Sequence, residues 1–242
     1  MKDLTESQVS AALLRASLYQ FLALAFSYPA EEHRDRLTTR WRSFFSCSEG
    51  WPEGVRTRLE EAVTILSDKD NLPLAPEYLR LFGPAAVCPL FETSYGAANQ
   101  LLGKPARLAD VSGFYLAFGV KPSPGETYPE DHLTLELEFM GVLALKEAYA
   151  LSNGEEEPLA ITRDAARKFL EEHLGTWIHA WFDLLQKNAP PAFYSKLGEA
   201  LCALVDAEAK RLGSAPTPVS VRLVDQEVGA DSFACPQVTE AT

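Results

Sequence analysis

The residues from Pro129 to Met140 read P-E-D-H-L-T-L-E-L-E-F-M, and they predict the helix around which the rest of the chain is built. Proline is favoured at the first turn of a helix, and the acidic residues that follow it favour a helix N-terminus. Apolar residues then recur at helical spacing around most of the circumference: Leu133, Leu135, Leu137, Phe139, Met140, Val142, Leu143 and Ala144. Such a helix lies in the centre of a fold. We therefore predict a central helix from about Glu130 to Ser152 with an exposed, titratable N-terminus.

Helical spacing of apolar residues also occurs on both sides of this stretch, with proline or glycine at the joints. The predicted helices cover about 5–26, 31–45, 52–66, 76–82, 107–118, 158–172, 176–187 and 191–211. No segment has a strand pattern good enough for a sheet. The sequence therefore predicts an all-α fold, a single-domain helical bundle of about nine or ten helices.

The character of the sequence changes after Gly213. Residues 215–218 read A-P-T-P, which is typical of a linker, and residues 219–224 alternate like a strand that has no evident partner. We predict that residues 1–213 form the helical domain and that residues 214–242 form an extended or disordered C-terminal tail.

Composition excludes several classes of protein. The formal net charge of −12 argues against nucleic acid or an anionic membrane surface as a partner. No run of eighteen apolar residues occurs, and the polar N-terminus does not fit a secretory signal. The four cysteines form no C-x-x-C pair, so neither a zinc site nor a disulfide framework is indicated. These features predict a cytoplasmic protein.

Three motifs occur in a fixed order between Pro76 and Met140. They are Tyr78-x-x-Leu81-Phe82, Cys88-Pro89-x-x-Glu92-x-x-Tyr95 and Glu130-Asp131-His132-Leu133-x-x-Glu136-Leu137-x-Phe139-Met140. In this order they resemble the TorD/DmsD/NarJ group, cytoplasmic chaperones that mature molybdenum-containing redox enzymes. The helical chain from Ser7 to Arg211 is compatible with that group, whereas the residues after Gly213 have no recognised counterpart. The resemblance implies an all-helical bundle, as the apolar spacing does, and a protein that is not an enzyme.

The resemblance also implies a partner and a site. Members of the group bind the twin-arginine leader peptide of an apo-molybdoenzyme subunit, hold it back from export and help cofactor insertion. The residues that match their peptide groove are Tyr78, Leu81, Phe82, Glu130, Asp131 and His132. An apolar groove would take the apolar segment of the leader, while carboxylates at its rim would meet the arginines. The protein itself would need no cofactor and would be a monomer or a homodimer.

Each of these residues also has a purely structural interpretation. Glu130 and Asp131 suit a helix dipole without any ligand, and His132 suits an ordinary position in the first turn. Leu81 and Phe82 fit a hydrophobic core equally well. The first aromatic of the motif is Tyr78, where some members of the group have Trp. Only the joint occurrence of the motifs in order favours the peptide site.

A metal-dependent enzyme is the alternative function. His132 and Glu136 are four residues apart on one predicted helix, as ligands are in helical carboxylate sites. A di-iron bundle needs a second Glu-x-x-His segment, and His173 and His179, six residues apart, do not share a helix face well. No nucleophile motif and no P-loop occurs in the sequence. The chaperone is therefore the favoured reading.

Overall fold

The computed structural model describes residues 2–44, 50–67, 73–96, 103–121 and 128–219. Within these ranges the chain forms nine α-helices, and its β-type pairing is limited to an isolated bridge. The helices are α1 Lys2–Ala25, α2 His33–Phe44, α3 Val55–Ser67, α4 Leu74–Phe82, α5 Gly103–Ala117, α6 Leu133–Asn153, α7 Glu156–Phe169, α8 Gly175–Lys187 and α9 Ala192–Leu212. The all-α prediction is confirmed.

The helix count of about nine or ten is slightly high. A π-helical turn at Leu170–Leu174 joins α7 to α8 without a break, so these two helices form one continuous helix. Counted in this way, the described residues contain eight separate helices. A 3₁₀ turn covers Glu92–Ser94. None of the helices in the described part of the chain is both long and apolar enough to span a lipid bilayer.

The predicted central helix is α6. It packs most extensively against α1 and then against α7, while α3 and α8 both pack on α9. Leu133, Leu137 and Leu143 on α6 are fully buried in the main core. The bulky apolar surface of α8 lies in the same core, because Trp177 and Trp181 have no exposed surface.

The predicted start of α6 is wrong by three residues. The helix begins at Leu133, and His132 before it is extended, with φ −76° and ψ 136°. His132 forms an antiparallel bridge with Phe91, and the Leu133 N–H donates to the Leu90 carbonyl at 2.8 Å. Residues 129–132 therefore run alongside residues 90–92. This pairing replaces the first helical turn that the local sequence favours.

Ion pairs around the buried Glu147 carboxylate tie four helices together. Glu147 on α6 is 2.8 Å from Arg15 on α1, 2.9 Å from Arg163 on α7 and 3.1 Å from Arg211 on α9. Arg15 and Arg211 both also pair with Glu208, at 3.3 and 2.9 Å. Burial alone would raise the pKa of Glu147, but Arg15 and Arg211 outweigh it and lower that pKa below its usual value.

The first six residues of the predicted tail, 214–219, lie against the bundle. The Val219 N–H donates to the Thr176 carbonyl at 2.9 Å, and the Val219 side chain packs on the core. Pro216 lies so close to Gly175 that a Cβ there would be 2.6 Å from the proline ring. Residues 220–242, with most of the predicted alternating segment, lie outside the described residues.

Candidate functional site

Helix α4 carries three of the predicted site residues, and its geometry separates them. Tyr78 and Phe82, one turn apart, share a side of the helix, and their rings meet at 5.2 Å. The Tyr78 hydroxyl donates to the Phe26 carbonyl at 3.1 Å, and the Phe82 ring meets Tyr194 edge-on at 5.3 Å. Leu81 points into the core and has no exposed surface. Tyr78 and Phe82 are thus held in place by their neighbours, while Leu81 is a core residue.

Asp131 links the 3₁₀ turn at Glu92–Ser94 to the segment that leads into α6. Its Oδ2 accepts hydrogen bonds from the Thr93 N–H at 3.0 Å and from the Thr93 hydroxyl at 2.6 Å. Its carbonyl accepts from the Glu92 N–H at 3.0 Å. Asp131 has no exposed surface, so the expectation of an exposed Asp131 in the first turn of the central helix is wrong. Oδ2 is occupied by the 3₁₀ turn and Oδ1 is buried, so the carboxylate does not lie at a rim.

His132 caps α6 and is also buried, contrary to the expected exposed N-terminus. Its Nδ1 accepts from the Thr134 N–H at 3.2 Å, which leaves the ring proton on Nε2. The ring stacks on Tyr128 with a centroid distance of 4.0 Å and meets Phe91 edge-on at 5.1 Å. Burial lowers the pKa of His132 from 6.5 to about 4. At neutral pH His132 is therefore an uncharged hydrogen-bond donor.

A groove of about 500 Å³ lies between α4 and the segment that leads into α6. It is lined by aromatic, apolar and small residues: Tyr28, Tyr78, Leu79, Phe82, Gly83, Pro84, Ala86, Pro89, Phe91, Ser94, Tyr128 and His132. Tyr28 and Leu79 on its wall are 46% and 47% exposed, which leaves apolar surface open to a ligand. Three of the six predicted site residues, Tyr78, Phe82 and His132, therefore share one groove.

The other acidic residue of the motif, Glu130, lies beside the groove without lining it. It is half-buried, and its carbonyl accepts from the Tyr115 hydroxyl at 2.8 Å. Because Asp131 is engaged with Thr93, Glu130 is the acid of this pair that keeps access to solvent. The structure thus brings the aromatic residues together in the groove, while the Asp131 carboxylate is buried and Glu130 is partly exposed.

Nine of the twelve groove residues were not among the predicted site residues, and three of these nine are aromatic: Tyr28, Phe91 and Tyr128. Phe91 had a signal, because an apolar segment without periodicity, residues 83–95, indicates packing over a helix or the lining of a groove. Tyr28 and Tyr128 are single aromatic residues beside prolines in loops, and no spacing pattern marks them. Only the folded chain brings them against Tyr78 and His132.

The alternative pair of metal ligands, His132 and Glu136, does not gain support. Glu136 is fully buried, and its Oε2 accepts from the Trp177 indole N–H at 3.2 Å. Burial, and next the neighbouring Glu92, raise the pKa of Glu136 well above its usual value, which favours the protonated acid. Within the described ranges neither His132 nor Glu136 belongs to a cluster of three or more candidate metal ligands.

Comparison with known proteins gives a consistent set of similarities. The family model of the nitrate reductase delta subunit matches residues 48–183. This range includes every residue that lines the groove except Tyr28. The selenate reductase assembly chaperone protein of Thauera selenatis is 33% identical over 82% of this chain and 89% of its own. The chlorate reductase assembly chaperone protein of Ideonella dechloratans is 35% identical over 83% of this chain and 91% of its own. The chaperone protein TorD of Vibrio cholerae is 28% identical over 62% of this chain and 68% of its own.

Proposed function

The chain belongs to the nitrate reductase delta subunit family, whose relatives described above are assembly chaperones, and from this premise we propose that it serves one molybdoenzyme as a dedicated chaperone. The prediction that it is not an enzyme is confirmed by the same relatives. In this proposal it binds the twin-arginine leader or N-terminus of the catalytic subunit. It assists cofactor insertion and assembly, and it holds the subunit back from export until both are complete. These steps take place in the cytoplasm.

The observation that supports the proposal most is the aromatic groove between α4 and the start of α6. A twin-arginine leader is a basic pair followed by an apolar segment, and the exposed faces of Tyr28 and Leu79 offer that segment apolar surface. Full burial of one large apolar side chain contributes about 1.5–3 kcal/mol. A few such contacts support a dissociation constant in the micromolar range, about −8 kcal/mol, after the cost of association.

Charge has a smaller role in this proposal than the motif alone suggested. Asp131 is engaged with Thr93, so the arginines of the leader meet Glu130 and the general negative potential of a chain with net charge −12. His132 offers an uncharged Nε2–H to a peptide carbonyl. Because exposed ion pairs are screened, raising the salt concentration should weaken binding only modestly.

Calorimetry with synthetic leaders tests the proposal. The peptides are a panel of twin-arginine leaders of molybdoenzyme catalytic subunits, each with a matched version whose apolar segment is replaced by Ser and Gly. We expect micromolar binding or tighter for a native leader and no measurable binding for its matched version. If no leader binds while a folded client subunit without its leader binds well, the groove is not the leader site.

A further inference from the structure

A second polar cluster joins α5 to the π-helical turn, and none of its residues lines the groove. It consists of Asp110, Glu172 and His173. One potential ligand atom from each lies within 4.8 Å of the others. Asp110 and Glu172 are exposed, so two carboxylates lie at the surface above a buried imidazole.

His173 is the buried member of the cluster, and one of its ring nitrogens lacks a hydrogen bond. Its side chain has no exposed surface, and Nδ1 is 3.1 Å from Glu92 Oε2. Because a carboxylate only accepts, Nδ1 carries the proton and donates it to Glu92. Nε2 makes no hydrogen bond within the described residues, although it is 3.4 Å from Asp110 Oδ2. A lone pair on Nε2 that faces the Asp110 carboxylate would be satisfied by a cation between them.

Glu92 makes the imidazole a suitable metal ligand. Histidines that bind metals usually donate their other ring N–H to a carboxylate, which fixes the tautomer and the ring orientation. Glu92 is 2% exposed, and its Oε1 is held by Arg107 Nε at 3.0 Å. The Phe114 and Phe169 rings also contact the imidazole, at 5.3 and 5.1 Å, and restrict its rotation.

The local charge also suits a divalent cation. Three carboxylates, those of Glu92, Asp110 and Glu172, surround the imidazole, and Arg107 is the cation that pairs with them within the described residues. A divalent ion would balance the two uncompensated charges.

We propose that Asp110, Glu172 and His173 bind a divalent transition-metal ion such as Zn²⁺, with Glu92 orienting the imidazole. Zinc takes nitrogen and oxygen ligands at about 2.0–2.2 Å, so its ligand atoms lie roughly 3–3.5 Å apart. The 3.4 Å between His173 Nε2 and Asp110 Oδ2 already fits. The exposed Glu172 side chain completes the set by rotation. The ion ties α5 to the π-helical turn and leaves a coordination position for water.

Zinc binding to the tag-free, full-length chain tests this proposal. After removal of metal with a chelator, equilibrium dialysis against Zn²⁺ followed by metal analysis measures stoichiometry and affinity. We expect one Zn²⁺ per wild-type chain. Asp110→Asn and Glu172→Gln, both at exposed positions that a folded chain tolerates, should each weaken the affinity by about tenfold or more.

The chain supplies a matched control. Asp206 is 2.8 Å from the ring of His179 in an exposed pair, so Asp206→Asn also removes a carboxylate beside a histidine and should bind Zn²⁺ like the wild type. Wild-type protein that takes up no stoichiometric Zn²⁺ would overturn the proposal. Equal affinity in the wild type, Asp110→Asn and Glu172→Gln would equally overturn the proposal.

Discussion

At the scale of single residues, the neighbours Asp131 and His132 have different roles: Asp131 only holds the fold, whereas His132 both holds the fold and lines the groove. Asp131 ties the 3₁₀ turn to the segment before α6 through Thr93. His132 caps α6 with Nδ1 and lines the groove with its ring. Both are buried, so a substitution at either position has a cost in stability as well as any effect on binding.

The buried His132 predicts how stability changes with pH. The folded chain holds this ring neutral with a pKa of about 4, whereas the unfolded chain takes up a proton below about pH 6.5. Stability is therefore complete above pH 6.5 and falls as the pH drops toward 4, by about 3 kcal/mol at most for this group. His132→Asn keeps a capping oxygen but does not titrate, so the free energy of unfolding should fall less steeply as the pH drops.

Urea unfolding at pH 7, 5.5 and 4.5 measures that slope. Some pH dependence will remain in the variant, because burial also lowers the pKa of His33 to about 4. An unaltered slope in His132→Asn would mean that the ring is not held neutral in the fold.

At the scale of helices, the ion pairs of Glu147 connect α6 to α1, α7 and α9. Glu147→Gln keeps the shape but leaves Arg15 buried with one carboxylate fewer, so we expect a loss of about 3–5 kcal/mol in the free energy of unfolding. Because the folded pKa is lowered, this contribution is present above about pH 4.3 and disappears as the pH falls below it.

The control for this prediction is the exposed pair Arg56–Glu60 on α3, with 42% and 48% of the side chains exposed. Glu60→Gln should change stability by about 1 kcal/mol or less. Denaturant midpoints at pH 7 for both variants give the comparison. Similar small losses in the two would show that the Glu147 pairs do not hold the helices together.

The start of the tail is an element of the fold in its own right. A chain that ends at Gly213 loses the hydrogen bond from Val219 to Thr176 and the packing of Pro216 and Val219, whereas a chain that ends at Val219 keeps them. We expect the shorter chain to be less stable by about 1–2 kcal/mol, from one hydrogen bond and a few buried methyl groups. Equal melting temperatures for the two chains would show that this segment only rests on the surface.

Local patterns explain which elements were predictable. The apolar spacing of α1, α6 and α9 is set by residues within each helix, so the sequence predicted these helices and the burial of Leu137. The start of α6 depends on the bridge to Phe91, a contact between distant parts of the chain. The π-helical turn begins and ends with leucines four residues apart, Leu170 and Leu174, as an ordinary helix would, so no local pattern marks it.

The candidate site was less predictable than the fold for the same reason. The motif order pointed to Tyr78, Phe82 and His132, which line the groove, but it also included Leu81 and Asp131, which do not line it. The cluster of Asp110 and His173 was not anticipated, because α5 and the π-helical turn are far apart in the sequence.

At the scale of the whole molecule, a helical scaffold presents an aromatic groove, and the chain carries a net charge of −12. The bundle fixes Tyr78 and Phe82 against Phe26, Trp181 and Tyr194, so the groove exists before any ligand binds. Under the proposed function, a rigid groove spares the protein the entropic cost of ordering and leaves that cost to the leader peptide. Binding should therefore depend on groove residues that are exposed and do not stabilise the fold.

Leader affinity in Leu79→Ser, compared with Leu116→Ser, tests this most directly. Both leucines are exposed, 47% and 65%, but only Leu79 lines the groove. Both variants should keep wild-type stability within about 0.5 kcal/mol. Calorimetry with the native leader should show an affinity about five- to tenfold weaker for Leu79→Ser, a loss of about 1–1.4 kcal/mol, and no change for Leu116→Ser. Wild-type affinity in Leu79→Ser, or an equal loss in both variants, would contradict leader binding in this groove.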